Sequence, residues 1–161
     1  MKKVILMLAV GSTFLLGSCA QTNVVKSQME TGKEVRGAWT LTDVSYENLN
    51  GFAVNNVFDT AKPECYEGST WNLVQNNKTG TYTFNTSSAD CATGTAKIIW
   101  DVKEDGSVTY FTFKDITGIK AKQNTAGYKL RLDYVDANSM KLVQDVNAEG
   151  NIGQVVYNFQ R

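Results

Sequence analysis

From Gly37 to Arg161 the chain alternates apolar and polar residues in short runs, each broken by Gly, Asn or Asp. That period of two constrains the fold more than any other feature, because only a strand puts every second side chain on one face. The runs predict eight strands: Gly37–Ser45, Ser69–Gln75, Thr79–Asn85, Gly94–Lys103, Ser107–Lys114, Gly127–Val135, Ser139–Asn147 and Gly153–Arg161. Each carries an apolar side: Trp39/Leu41, Trp71/Leu73, Tyr82/Phe84, Ile98/Trp100/Val102, Phe111/Phe113, Leu130/Leu132/Tyr134, Met140/Leu142 and Val155/Tyr157/Phe159. One buried face per strand is the pattern of an antiparallel sheet. Such strands, with no helices or second sheet to cover them, dispose of their edges most simply by closing into an up-and-down barrel. A two-sheet sandwich is the alternative.

The predicted links alternate in length. Asn76-Asn77-Lys78, Glu104-Asp105-Gly106 and Asp136-Ala137-Asn138 are tight, whereas Tyr46–Gly68, Thr86–Thr93, Asp115–Ala126 and Ala148–Ile152 are longer. In a meander, alternate links fall at opposite ends. One end is therefore closed by turns and the other, the mouth, carries the long loops, where binding residues concentrate. Tyr46–Gly68 is too long for a plain connector. Its Leu49, Phe52, Val54, Val57 and Phe58 suit either a lid over the mouth or a loop that caps the core.

The N-terminus decides where such a barrel works. Lys2 and Lys3 precede an apolar stretch from Val4 to Leu16, which ends in Gly17-Ser18-Cys19. A basic n-region, a short apolar run and small residues read as a secretory signal peptide over residues 1–18, too short to span a bilayer. Leu16-Gly17-Ser18-Cys19 resembles a lipobox, which implies that Cys19 becomes the acylated first residue. Residues 19–36 then form a lipidated, flexible tether with a reach of about 23 Å, and residues 37–161 form the barrel domain. The expected location is the outer membrane, periplasmic face, with the membrane engaged through the lipid anchor alone.

Cleavage removes two lysines and no acid, leaving 14 basic and 16 acidic side chains and a net charge of −2. That balance gives no basic surplus for nucleic acid. With Cys19 assigned to lipid, Cys65 and Cys91 remain, and in an oxidising compartment they read as a disulfide. A loop of about 27 residues closed this way contributes roughly 3.5 kcal/mol on a chain-entropy account.

Gly37-x-Trp39 opening the first strand, with Arg161 ending the last, brings a tryptophan and a guanidinium to the place where a barrel closes. This conjunction resembles the lipocalin-like barrels over about Gly37 to Arg161, and Asp133-Tyr134 faintly echoes a second motif of that family. The family usually adds a helix after the last strand, whereas this chain stops at Arg161; that departure resembles the short lipocalin-like bacterial lipoproteins. The resemblance implies that Gly37, Trp39 and Arg161 plug the closed end. A guanidinium over indole is worth roughly 0.5–2 kcal/mol.

The function expected is a tethered barrel that binds a small apolar or amphipathic ligand at its mouth. The candidate contacts are Phe52, Phe58, Trp71, Trp100, Phe111 and Tyr128. Strand aromatics with this alternation also suit a packed core, and a barrel of this size is either filled or holds one small ligand. The alternative is a non-catalytic adaptor that meets another envelope protein through its loops or exterior. Catalysis is not expected. The chain has no histidine, no nucleophile elbow, no glycine-rich phosphate loop and no metal-ligand cluster, so no cofactor is assigned. Glu64, Glu67 and Asp90 gather near the mouth as solvated acids. The expected state is a monomer. Asp59-Thr60-Ala61 matches a short O-glycosylation sequon used by some bacteria.

Overall fold

The computed structural model describes residues 29–161, apart from Asn50 and Glu149. The signal segment, Cys19 and the first part of the tether lie outside the described residues. Strands β1 (Gly37–Glu47), β2 (Thr70–Val74), β3 (Thr79–Phe84), β4 (Gly94–Asp105), β5 (Val108–Asp115), β6 (Tyr128–Val135), β7 (Ser139–Ala148) and β8 (Asn151–Gln160) form a closed barrel in sequence order. Every neighbouring pair is antiparallel, and β1 returns to β8 from Thr40↔Gln160 to Glu47↔Gln154. A 3-10 turn, Pro63–Tyr66, interrupts the first long loop. Among the described residues no helix is long and apolar enough to cross a membrane.

The inward positions are the apolar alternates, and they fill the interior. Trp39, Leu41, Tyr66, Tyr82, Ile98, Trp100, Phe111, Leu130, Met140, Leu142 and Tyr157 are all buried. Two bulges adjust the alternation. Between Leu41 and Asp43 the β1 register slips, so Val44 rather than Asp43 turns inward. A second slip between Leu132 and Tyr134 sends Tyr134 outward, 49% exposed, against its expected place on the apolar face. An extra residue on one strand reverses the face of everything after it.

The closed end is tied by the two chain termini of the barrel. The Arg161 guanidinium carbon lies 4.0 Å from the Trp39 ring centroid. Its Nη2 donates to the carbonyls of Glu34 and Arg36, both at 2.6 Å, and Nη1 donates to that of Ala137 at 3.1 Å. Trp39 Nε1 donates to the Val35 carbonyl at 2.7 Å. The Glu34, Val35 and Arg36 carbonyls lie at the end of a helix described over residues 29–35, so Trp39 and Arg161 satisfy groups that a helix C-terminus leaves unpaired. Residues 29–36 thus belong to the barrel floor, whereas the sequence placed them in the flexible tether. Val35 is fully buried there, which is the apolar contact that fixes them.

Candidate functional site

The mouth is built by three loops, 48–69, 85–93 and 116–127. The fourth link expected to be long, between β7 and β8, spans only 149–150, because both strands run further than the sequence pattern indicates.

Loop 48–69 folds inward. Val57 and Ala61 form an isolated antiparallel bridge, and the tight turn between them requires positive φ at Phe58 (53°) and Asp59 (51°). Left-handed backbone at a phenylalanine carries strain that surrounding contacts must hold. Those contacts are aromatic. The Phe58 ring centroid lies 5.4 Å from Tyr66, 5.0 Å from Phe113, 5.2 Å from Tyr128 and 5.5 Å from Tyr157. At 4% exposure, Phe58 is a plug seated in the mouth.

The loop is fastened on three sides. Tyr46 on β1 donates its hydroxyl to Glu64, and the Val44 amide donates to Glu67 Oε1 at 3.0 Å. Cys65 and Cys91 form a disulfide with a Cα–Cα distance of 5.4 Å, joining the 3-10 turn to the β3–β4 loop. Asn85 Nδ2 reinforces that side by donating to the Gly68 carbonyl at 2.8 Å. On the third side the Tyr128 hydroxyl stands 2.8 Å from the Phe58 carbonyl and 3.2 Å from Asp59 Oδ2, both acceptors. Burial, and then the Asp59 carboxylate, push the Tyr128 phenol up to about 12.

The expected ligand contacts fall in different places. Trp71 stacks on Tyr82 with centroids 4.9 Å apart, and its Nε1 donates to Ser69 Oγ at 3.0 Å. Trp100 stacks on Phe111 at 5.8 Å and donates to the Thr79 carbonyl at 2.9 Å. All four rings are buried within one continuous apolar cluster. Phe52 is half-buried in the loop, while Tyr128 is half-buried against the plug. The expected gathering of acids is not a unit: Glu64 and Glu67 bind β1 as above, and Asp90 is exposed. Among the described residues no group of His, Cys, Asp or Glu is placed to hold a metal ion.

No protein-family model, curated protein or solved structure matches this chain. The fold itself is therefore the main guide to function. Beneath the plug the Tyr66 hydroxyl is buried without a hydrogen-bond partner among the described residues, the Tyr82 hydroxyl donates to Asp115 Oδ2 at 3.3 Å, and the Tyr157 hydroxyl donates to Gln144 Oε1 at 2.9 Å. Burial raises all three phenols above the ordinary tyrosine range. At neutral pH they are protonated, neutral polar groups in an aromatic core. The Cys65–Cys91 disulfide points to an extracytoplasmic compartment. Thr60, the central residue of the sequon, is exposed on the turn and donates its hydroxyl to the Phe58 carbonyl at 2.7 Å.

Proposed function

We propose that this chain is a lipid-anchored, lipocalin-like envelope protein whose barrel is a packed scaffold, and that it acts as a non-catalytic adaptor, binding another envelope protein through its exterior and loops. The observation that carries the reading is Phe58. A residue of the chain's own longest loop fills the mouth that a carried ligand would enter, and it is held there on three sides. The closed order of strands and the Arg161–Trp39 stack support the family resemblance. The disulfide supports an oxidising compartment, and the Cys19 lipobox supports an anchor at the periplasmic face of the outer membrane. The helix described over 29–35 enters at the closed end, so on this reading the loops face away from the membrane.

One observation favours the ligand-carrier alternative. The Tyr66 hydroxyl, unpartnered among the described residues, lies under a plug with strained backbone, which is how a displaceable lid over a small polar group would be built. Native mass spectrometry on residues 20–161, secreted to its host's periplasm and gently purified, separates the two. The expected result is a chain two hydrogens lighter than the reduced form, with no small molecule, that co-purifies with an envelope protein. A bound apolar molecule lost on Trp71→Phe would overturn the adaptor reading.

A further inference from the structure

Outside the barrel, strands β4, β5 and β6 present a concave face. At its centre is Thr112, which pairs with Asp101 on one side and Lys129 on the other. Gly127 adds no side chain, and the Lys114 stem passes 3.5 Å from where its Cβ would stand. Small residues in the middle and long ones around them leave a groove of about 480 Å³ along the barrel flank.

The rim is basic. Lys78, Lys103, Lys114 and Lys129 line the groove against the single carboxylate of Asp101. Lys78 reaches Asp101 at 3.3 Å, and Lys129 is shared between Asp105 at 3.1 Å and the Tyr110 ring at 3.8 Å. Lys114 donates to the Asn124 carbonyl at 3.3 Å, a neutral acceptor, and joins no ion pair among the described residues. Lys103 is exposed and joins no ion pair among the described residues. The adjoining segment 116–132 adds Lys120 and Lys122, whereas its Arg131 is paired with Asp133 at 2.6 Å and Asp145 at 3.8 Å. In a chain that is net negative after cleavage, this clustering is a local positive field over a concave, partly apolar floor of Ile99 and Thr112.

We propose that this groove binds an oligosaccharide bearing more than one anionic group. Charges spread around the rim match several separate anions better than one. Ammonium groups serve phosphate, sulfate or carboxylate as point charges without demanding a bidentate geometry. The Thr112 hydroxyl and the lysine stems suit the mixed polar and C–H surface of a sugar, and the volume admits about two rings. The inference rests on the reading that binding is external, and it names the ligand class for one part of that exterior.

The test is a titration of residues 20–161 with a sulfated disaccharide, followed by backbone amide shifts at low and physiological salt. Its uncharged parent disaccharide and inorganic phosphate serve as controls. The expected result is saturable binding that weakens with salt, exceeds that of phosphate, and moves the amides of Asp101, Thr112 and Lys129. The double change Lys103→Glu with Lys114→Glu lowers affinity tenfold or more, whereas Lys62→Glu, away from the groove, leaves it unchanged. Thr112→Phe fills the floor while keeping every charge, at an outward strand position that tolerates an aromatic residue, and it also lowers affinity tenfold or more. Binding unchanged by Thr112→Phe means surface charge only and overturns the proposal. No binding at low salt overturns the groove alone and leaves the adaptor reading standing. Shifts confined to Tyr66, Trp71, Tyr82 and Tyr157 place the sugar inside the barrel and overturn both.

Discussion

Replacing Phe58 by alanine tests the central structural argument, that the loop fills the mouth rather than merely covering it. The ring is 4% exposed and meets four aromatic neighbours with centroids 5.0–5.5 Å away. Truncating a buried phenylalanine costs about 3–5 kcal/mol, of which the aromatic geometry accounts for a part beyond area. The ring sits at the end of the core, where a loop can partly settle, so the lower figure of about 3 kcal/mol is expected. Equilibrium unfolding in denaturant reads it as a lower midpoint with an unchanged slope. Phe58→Gly separates packing from backbone. It loses the same ring but relieves the positive φ of 53°, so it should be more stable than Phe58→Ala by roughly 1 kcal/mol. The void left by alanine is walled mainly by aromatic rings, a space suited to a small apolar molecule. A solvatochromic apolar probe should therefore bind Phe58→Ala and not the parent chain. A loss below about 1 kcal/mol, or probe binding to the parent itself, would refute the plug.

Other perturbations follow from the same contacts. Arg161→Ala removes the stack on Trp39 and three carbonyl partners at the closed end, and a loss of about 1–3 kcal/mol is expected by thermal or denaturant unfolding. Amide exchange in 29–36 should rise with it, and unchanged protection there would refute the role given to Arg161. Gly80→Ala should cost about 1–3 kcal/mol, since a Cβ would stand 2.6 Å from the Asn72 carbonyl oxygen, a backbone atom that cannot step aside. A variant as stable as the parent would show that β2 and β3 are not so closely apposed. Alkaline pH should open the barrel. The phenols of Tyr46, Tyr66, Tyr82, Tyr128 and Tyr157 are all raised by burial above 10.0, Tyr128 to about 12. Because the folded state holds these protons more tightly, their stabilisation is complete below pH 10 and declines as pH rises from 10 towards 12 and beyond. Tyrosinate absorbance should thus lag a free-tyrosine curve and then rise together with loss of circular dichroism; ordinary titration near 10 with the fold intact would contradict this. Finally, chain secreted from a host that uses the Asp-Thr-Ala sequon should carry a glycan mass that Thr60→Ala abolishes, whereas equal masses for both would dismiss the motif.

The strand plan was legible because alternation is a property of the chain itself. Trp39/Leu41, Ile98/Trp100/Val102 and Val155/Tyr157/Phe159 declare their inner face without reference to any neighbour, and the structure buries each of them. The bulges after Leu41 and Leu132 were not legible. An extra residue inside a run looks like continued alternation, and only the demand that strands of a closed barrel stay paired reveals it, which is why Tyr134 was assigned to the wrong side. Residues 29–35 were missed for a related reason. The seven residues described there are too few to announce a helix by periodicity, and the segment owes its place to Val35, Trp39 and Arg161, which are distant in sequence or meaningful only once the barrel has closed.

The mouth and the flank mark the limit of such reading in opposite ways. Alternation assigns a side chain to the inside but does not separate packed core from cavity lining, so Trp71, Trp100 and Phe111 favoured the core and still stood as candidate ligand contacts. What decides between them is Phe58, a loop residue with no pattern to place it and a backbone conformation that phenylalanine seldom adopts. The lysines of the flank could be read one by one as ordinary solvated positions. The proposed site emerges only through register, because pairing Asp101 with Thr112 and Thr112 with Lys129 sets a short outward residue among the lysines that line the groove. With the interior closed by its own aromatic rings, the proposed recognition rests on features of this second kind, made by cross-strand neighbours on the outer face.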